Sequence, residues 1–168
     1  ADLVQRLDAS DPSSLTVSGS AVTLWEDADG RSADATPTVG SALYPGGTAF
    51  PTGLVGVDFG AGKNILEMFN SSEADALFDF QGAAAGNHGF TIGFTMIIDD
   101  LSAGTMHIIG NQHTLGKISI QVSGSGRLMF KTNNGLEFTG PAIAENEAVA
   151  VIISYEAESG SVTLWNSK

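Results

Sequence analysis

Between residues 90 and 98 apolar and small or polar side chains alternate without a break. Phe90, Ile92, Phe94, Met96 and Ile98 share one parity, and Thr91, Gly93 and Thr95 share the other. Successive side chains of a strand point to opposite faces, so this pattern predicts a strand buried on one side. The same period appears at Val55, Val57 and Phe59, at Ile118, Ile120 and Val122, and at Val149, Val151, Ile153 and Tyr155. Shorter candidates cover residues 3–7, 106–110 and 127–131. Ser-Gly-Ser-Gly at 123–126, Asn-Asn-Gly at 133–135 and Glu-Ser-Gly at 158–160 separate such runs and predict hairpins. A helix is hinted at only over 71–78, where Ser72 and Asp75 have capping-box spacing. Many short strands, glycine turns and little helix predict an all-β, antiparallel two-sheet β-sandwich. No shift in composition divides the chain, so residues 1–168 read as one domain.

Val-Thr-Leu-Trp occurs twice, at 22–25 and at 162–165. The flanks differ: Glu-Asp-Ala-Asp-Gly follows the first and Asn-Ser-Lys the second. In both, Val and Leu take one parity and Thr and Trp the other. Two core strands with the same pleat explain this without a repeat. Trp25 and Trp165 then fall on the more polar face at a strand end, where an indole can stack on the C–H face of a sugar ring.

Composition narrows the partners. The 168 residues carry 7 Lys+Arg against 19 Asp+Glu, a net charge of −12. That excess repels phosphate backbones and anionic lipid, so neither nucleic acid nor a membrane surface is expected as partner. No run of about 18 apolar residues is present to insert into a bilayer. Cys is absent, which removes disulfides and thiolate metal sites. The first residues, Ala1-Asp2, are what a mature exported protein or an excised domain would show.

The order of the stretches LVQRLDASDPSSLT, VTLWEDADG, FTIGFTMII, HIIGNQ, KISIQV, GRLMFKT and AVAVIISYEAESGSVTLW resembles the bacterial laminin-G-like branch of the concanavalin A-like lectin/glucanase fold. The likeness covers nearly the whole chain. Two features depart from the family pattern. Asn146-Glu147 stand where a Trp-His pair is frequent, and the family continues past the last Val-x-Leu-aromatic strand. The resemblance implies a jelly roll of two curved sheets, serving carbohydrate or protein binding in a secreted or cell-surface protein. It also implies strands beyond Lys168, or a neighbouring chain that covers the last strand's edge.

Glycoside hydrolysis needs two carboxylates flanking the scissile bond. The nearest Glu-x-Asp-x-x-Glu match starts at Glu73 and places Phe78 at the acid position. No nucleophile elbow or phosphate loop is present, and His88, His107 and His113 lack zinc spacing. Among lyase-like patterns, Asn111-Gln112-His113 is out of register. His107 and His113 read as ordinary strand-end residues. Asp27-Ala-Asp29-Gly30, with Asp34 beyond, alternates carboxylates on a glycine loop and is the candidate calcium site. Asn111, Gln112, His113, Asn133 and Asn134 offer amide and imidazole groups to vicinal hydroxyls, and Trp25 and Trp165 offer ring faces. The expected function is a non-catalytic carbohydrate-binding or adhesion module with a polysaccharide or glycan partner. The alternatives are a structural sandwich in a surface or virion assembly, or part of a polysaccharide lyase or hydrolase.

Overall fold

A computed structural model describes residues 5–30, 34–45, 55–60, 65–67, 89–110, 118–132, 137–156 and 161–167. The chain forms two compact units, Ala1–Asn70 and Ser71–Lys168. All strand pairings in both are antiparallel, and the one helical turn among the described residues is Pro12–Ser14. The expected all-β class is the observed one.

In the first unit Asp11 caps that turn, its Oδ1 accepting the Ser13 N–H at 3.0 Å. The turn leads into a hairpin of β1 (Leu15–Ser18) and β2 (Ala21–Trp25), joined through Gly19 at φ +65°. Backbone bonds between Trp25 and Ala35 lead to β3 (Thr36–Val39), which pairs with β4 (Ile65–Glu67). Leu15, Val22, Ala35 and Ala42 are buried.

Two sequence expectations fail in this unit. Residues 55–60 form no strand. Asp58 makes a single bridge to Leu43, and its Oδ1 accepts the N–H of Gly60, whose φ of +59° turns the chain away. Alternation at Val55, Val57 and Phe59 therefore has no partner strand among the described residues, and Val55 and Phe59 stay exposed. Of residues 3–7, the described 5–7 are not in a strand.

The second unit is the sandwich. One sheet has the order β11 (Ser161–Asn166), β10 (Val149–Glu156), β5 (Phe90–Met96). The other is a meander of β6 (Met106–Gly110), β7 (Ile118–Val122), β8 (Arg127–Thr132) and β9 (Glu137–Ala142). Inward-facing Ile118, Ile120, Val122, Leu128 and Phe130 meet Val149, Val151, Ile153 and Met96 in one apolar cluster. Each fully buried side chain of this size contributes roughly 1.5–3 kcal/mol, so this layer dominates the unit's stability. Phe90 closes it, 6.2 Å from the Phe130 ring and stacked at 5.6 Å on Tyr155.

The Ser-Gly-Ser-Gly hairpin is present between β7 and β8. Gly126 (φ +74°) donates to the Ser123 carbonyl at 2.8 Å and accepts from the Ile143 N–H at 2.7 Å. The other two predicted hairpin turns and the helix hinted at over 71–78 lie outside the described residues. The strands flanking those two turns do pair antiparallel. Gly140 and Pro141 disguise β9 in the sequence; Pro is tolerated there since no described strand pairs with its outer side.

At the sandwich's corner β9 approaches β11. A methyl group on Gly140 would lie 2.8 Å from Leu164 Cδ2, so the leucine sits where a side chain would otherwise be. The outer side of β11 pairs with no described strand. The Ser167 N–H donates to the Ala150 carbonyl at 3.0 Å. Antiparallel partners alternate between bonded and non-bonded pairs. The register then turns the Thr163 and Trp165 amides toward β10, and those of Val162 and Leu164 outward.

Candidate functional site

The outer face of the three-stranded sheet is built by the residues left over once the core is assigned. Val162 and Leu164 face the core side of β11, which puts Thr163 and Trp165 on the solvent side. In β10 the core takes Val149, Val151 and Ile153, leaving Ala150, Ile152, Ser154 and, at the strand's end, Glu156 outside. In β5 the outward set is Thr91, Gly93 and Thr95.

Register aligns these residues in rows across the strands. Trp165, Ile152 and Gly93 form the middle row. Thr163, Ser154 and Thr91 form the row on one side. Ala150 and Thr95 lie on the other side, where the Ala150 N–H donates to Ser167 Oγ at 3.1 Å. Thr91 Oγ1 and Ser154 Oγ are 2.9 Å apart, as befits a non-hydrogen-bonded pair whose side chains approach closely. Trp165 is 52% exposed and Ile152 43%, adjacent on one face. Gly93 adds no side chain beside Ile152, so the indole and the isoleucine stand over a low-lying end of the row. The one charged side chain among the described outward residues is Glu156 at the end of β10, whose Oε2 accepts from Ser161 Oγ at 3.3 Å; the rows of Trp165, Thr163 and Ala150 carry none. The face can stack on an apolar ring and hydrogen-bond hydroxyls along its margins.

The outer face of the four-stranded sheet differs. Gln121 Nε2 donates to Ser119 Oγ at 2.8 Å, and Ser119 Oγ lies 3.3 Å from His107 Nδ1. Lys131 Nζ is 3.3 Å from Glu137 Oε1. Arg127 shares the outward parity of Lys131 on β8 and is exposed. Thus Arg127 and Lys131, the Lys and Arg residues described in this unit, both stand on this sheet. His107 is part of this hydrogen-bonded group rather than a plain strand-end residue. The group in contact with the Ser119–His107 pair is the amide of Gln121, where a triad would have a carboxylate.

Asn111, Gln112, His113, Asn133 and Asn134 lie outside the described residues. The strands they connect, β6 to β7 and β8 to β9, leave and re-enter at the same end of the meander. Trp25 belongs to the other unit. It is half-buried, and its Nε1 is enclosed without a hydrogen-bond partner among the described residues, unlike the open indole of Trp165.

Asp27, Asp29 and Asp34 do fall on one loop. Asp27 is 5% exposed; its Oδ1 accepts from the Arg6 N–H at 2.8 Å and the Asp29 N–H at 3.5 Å. Asp34 Oδ1 accepts from the Asp27 N–H at 2.9 Å, and Asp29 Oδ1 lies 3.3 Å from Arg6 Nε. These oxygens fasten residues 5–8 to the loop after β2. No group of three or more His, Asp or Glu among the described residues converges as a metal site. A cation here would compete with the N–H groups and the guanidinium for these carboxylates.

The sequence singles out Trp165 but not Ile152, Gly93, Thr91 and Ser154, which the fold places on the same face. Their parity was available in the sequence; the register that aligns them with Trp165 was not. Comparison of the chain with protein-family profiles, curated proteins and solved structures gives no match.

Proposed function

We propose that the protein is a non-catalytic glycan-binding module of an extracellular or cell-surface protein, and that the outer face of the β11–β10–β5 sheet makes the contact. The observation that carries the reading is Trp165, a large aromatic left 52% exposed beside an exposed isoleucine and flanked by hydroxyl rows. Burying such a ring against a sugar's C–H face recovers apolar area that folding leaves in water. The jelly-roll connectivity and the laminin-G-like kinship are part of this proposal. So is calcium at the loop of Asp27, Asp29 and Asp34, where it would compete with Arg6. The Gln121 amide beside the Ser119–His107 pair supports a binding role over hydrolysis.

The test is affinity electrophoresis on a broad polysaccharide panel with wild type and Trp165→Ala. Retention by at least one glycan, weakened in the variant, is expected, with no reducing ends or unsaturated products released. Failure to be retarded by any glycan would favour a structural sandwich, and product release would make the protein an enzyme.

A further inference from the structure

Resting on the glycan-binding reading, we infer that the ligand of the Trp165 face is a neutral, extended, β-linked glycan lying across the strands rather than along them. Charge sets the first part. The Trp165 row and the hydroxyl rows beside it carry no charged side chain, and the unit's described cations, Arg127 and Lys131, stand on the other sheet. A uronate or sulfate laid on Trp165 would find no cation to offset its desolvation, on a chain whose net charge is −12. A neutral sugar meets neither cost.

Shape sets the second part. The apolar row crosses three strands through Trp165, Ile152 and Gly93. With strands about 4.8 Å apart, that row is roughly 10 Å long. Along β11, by contrast, the neighbours of Trp165 on the same face are polar, Thr163 being next. A ligand that needs continuous apolar support finds it only across the strands. β-Linked hexopyranoses with equatorial hydroxyls extend as ribbons, with C–H groups on the ring faces and hydroxyls on the edges. Such a ribbon puts its faces on the middle row and its edges on the rows of Thr91, Ser154 and Thr163. A helically coiled α-linked chain leaves a flat row after one ring. Thr91 and Ser154 are already bonded to each other at 2.9 Å, so their hydroxyls are oriented before a ligand arrives.

Calorimetry on the full 168-residue chain tests this, with cello- and manno-oligosaccharides of increasing length, malto-oligosaccharides and oligogalacturonate as probes. Affinity for a β-linked neutral series should rise and level off at about two or three sugars, the length of the row. Trp165→Ser should weaken binding at least about ten-fold, equivalent to ~1.4 kcal/mol. Trp165→Phe should retain most of the affinity, and Arg127→Ser all of it. Ile152→Ser is the second variant should Trp165→Ser fail to fold, and it should also weaken binding. Preference for malto-oligosaccharides would overturn the ligand class while leaving glycan binding intact. So would oligogalacturonate binding that is lost in Arg127→Ser and kept in Trp165→Ser. Absence of binding to every probe would overturn the glycan reading itself, as would a dimer in light scattering that Trp165→Ser dissociates.

Discussion

Replacing Gly126 by alanine probes the joint between the two hairpins of the meander. The residue sits at φ +74°, a region that costs an L-residue roughly 1–2 kcal/mol. Its new methyl group would collide with the Ile143 carbonyl oxygen and would therefore have to push backbone aside. That carbonyl cannot yield freely. Ile143 is 3% exposed within the core, and its N–H is tied to the Gly126 carbonyl. Forcing a methyl into such a site costs about 1–3 kcal/mol more. The sum, about 2–5 kcal/mol, is a large part of the ~5–15 kcal/mol that holds a domain together.

Gly104→Ala is the control: φ is +91°, but no atom lies within 4 Å of the added methyl, so only the conformational part applies. Urea unfolding can be followed by Trp165 fluorescence in a Trp25→Phe background, since those are the two tryptophans and only Trp165 belongs to the sandwich. At about 1–3 kcal/mol per molar urea, the midpoint of Gly126→Ala should fall by roughly 1 M or more. A difference between the two variants below about 0.5 kcal/mol would refute the backbone-collision argument.

Hydrogen exchange should alternate along β11. Thr163 and Trp165 amides are expected to be protected and those of Val162 and Leu164 to exchange; uniform protection would reveal a strand added on the outer side. Calcium, if the aspartate loop holds it, competes with Arg6. Arg6→Gln should then enlarge the rise in melting temperature on adding calcium and Asp29→Asn should remove it; identical curves with chelator and with calcium in all three proteins would dismiss the site. The carboxyl of Asp8 is held below its ordinary pKa, chiefly by the Ser10 hydroxyl and then by the Ser10 N–H. Its contribution is present above the unfolded carboxyl's pKa and is lost as pH falls through the lowered value. Asp8→Asn should therefore flatten the acid limb of stability, and superimposable wild-type and variant limbs would contradict this.

Strands that obey period two with bulky residues were legible in the sequence. Residues 90–98 gave β5 over Phe90–Met96, and the expectations at 106–110 and 118–122 coincide with β6 and β7. Pattern failed where burial depends on a partner. Val57 alternates with Gly56 and Asp58 as well as Ile120 does with its neighbours, yet only Ile120 meets an opposing sheet. β9 shows the reverse, since its place at an edge lets a Gly-Pro step survive inside a strand. The site followed the same division. Which residues face outward is local and readable; that Trp165, Ile152 and Gly93 stand abreast depends on pairings of residues up to 59 positions apart, fixed only by the fold. The aspartates show a third limit, because a loop rich in carboxylates reads alike whether its counter-charge is an ion or Arg6, 23 residues before Asp29.

The leucine seated over Gly140 has a mechanical meaning. β11 is bonded to β10 along one edge and pairs with no described strand along the other, so its torsion about the long axis is restrained by backbone bonds from one side. Leu164 wedged over the bare backbone of β9 acts as a detent: rolling the strand lifts the wedge from its notch. Trp165, next in sequence and pointing the opposite way, turns with it like the far arm of a lever. The angle at which the indole meets solvent is thus indexed by a glycine on the opposite sheet, and a bulkier residue at 140 would retune the face without touching anything bound there.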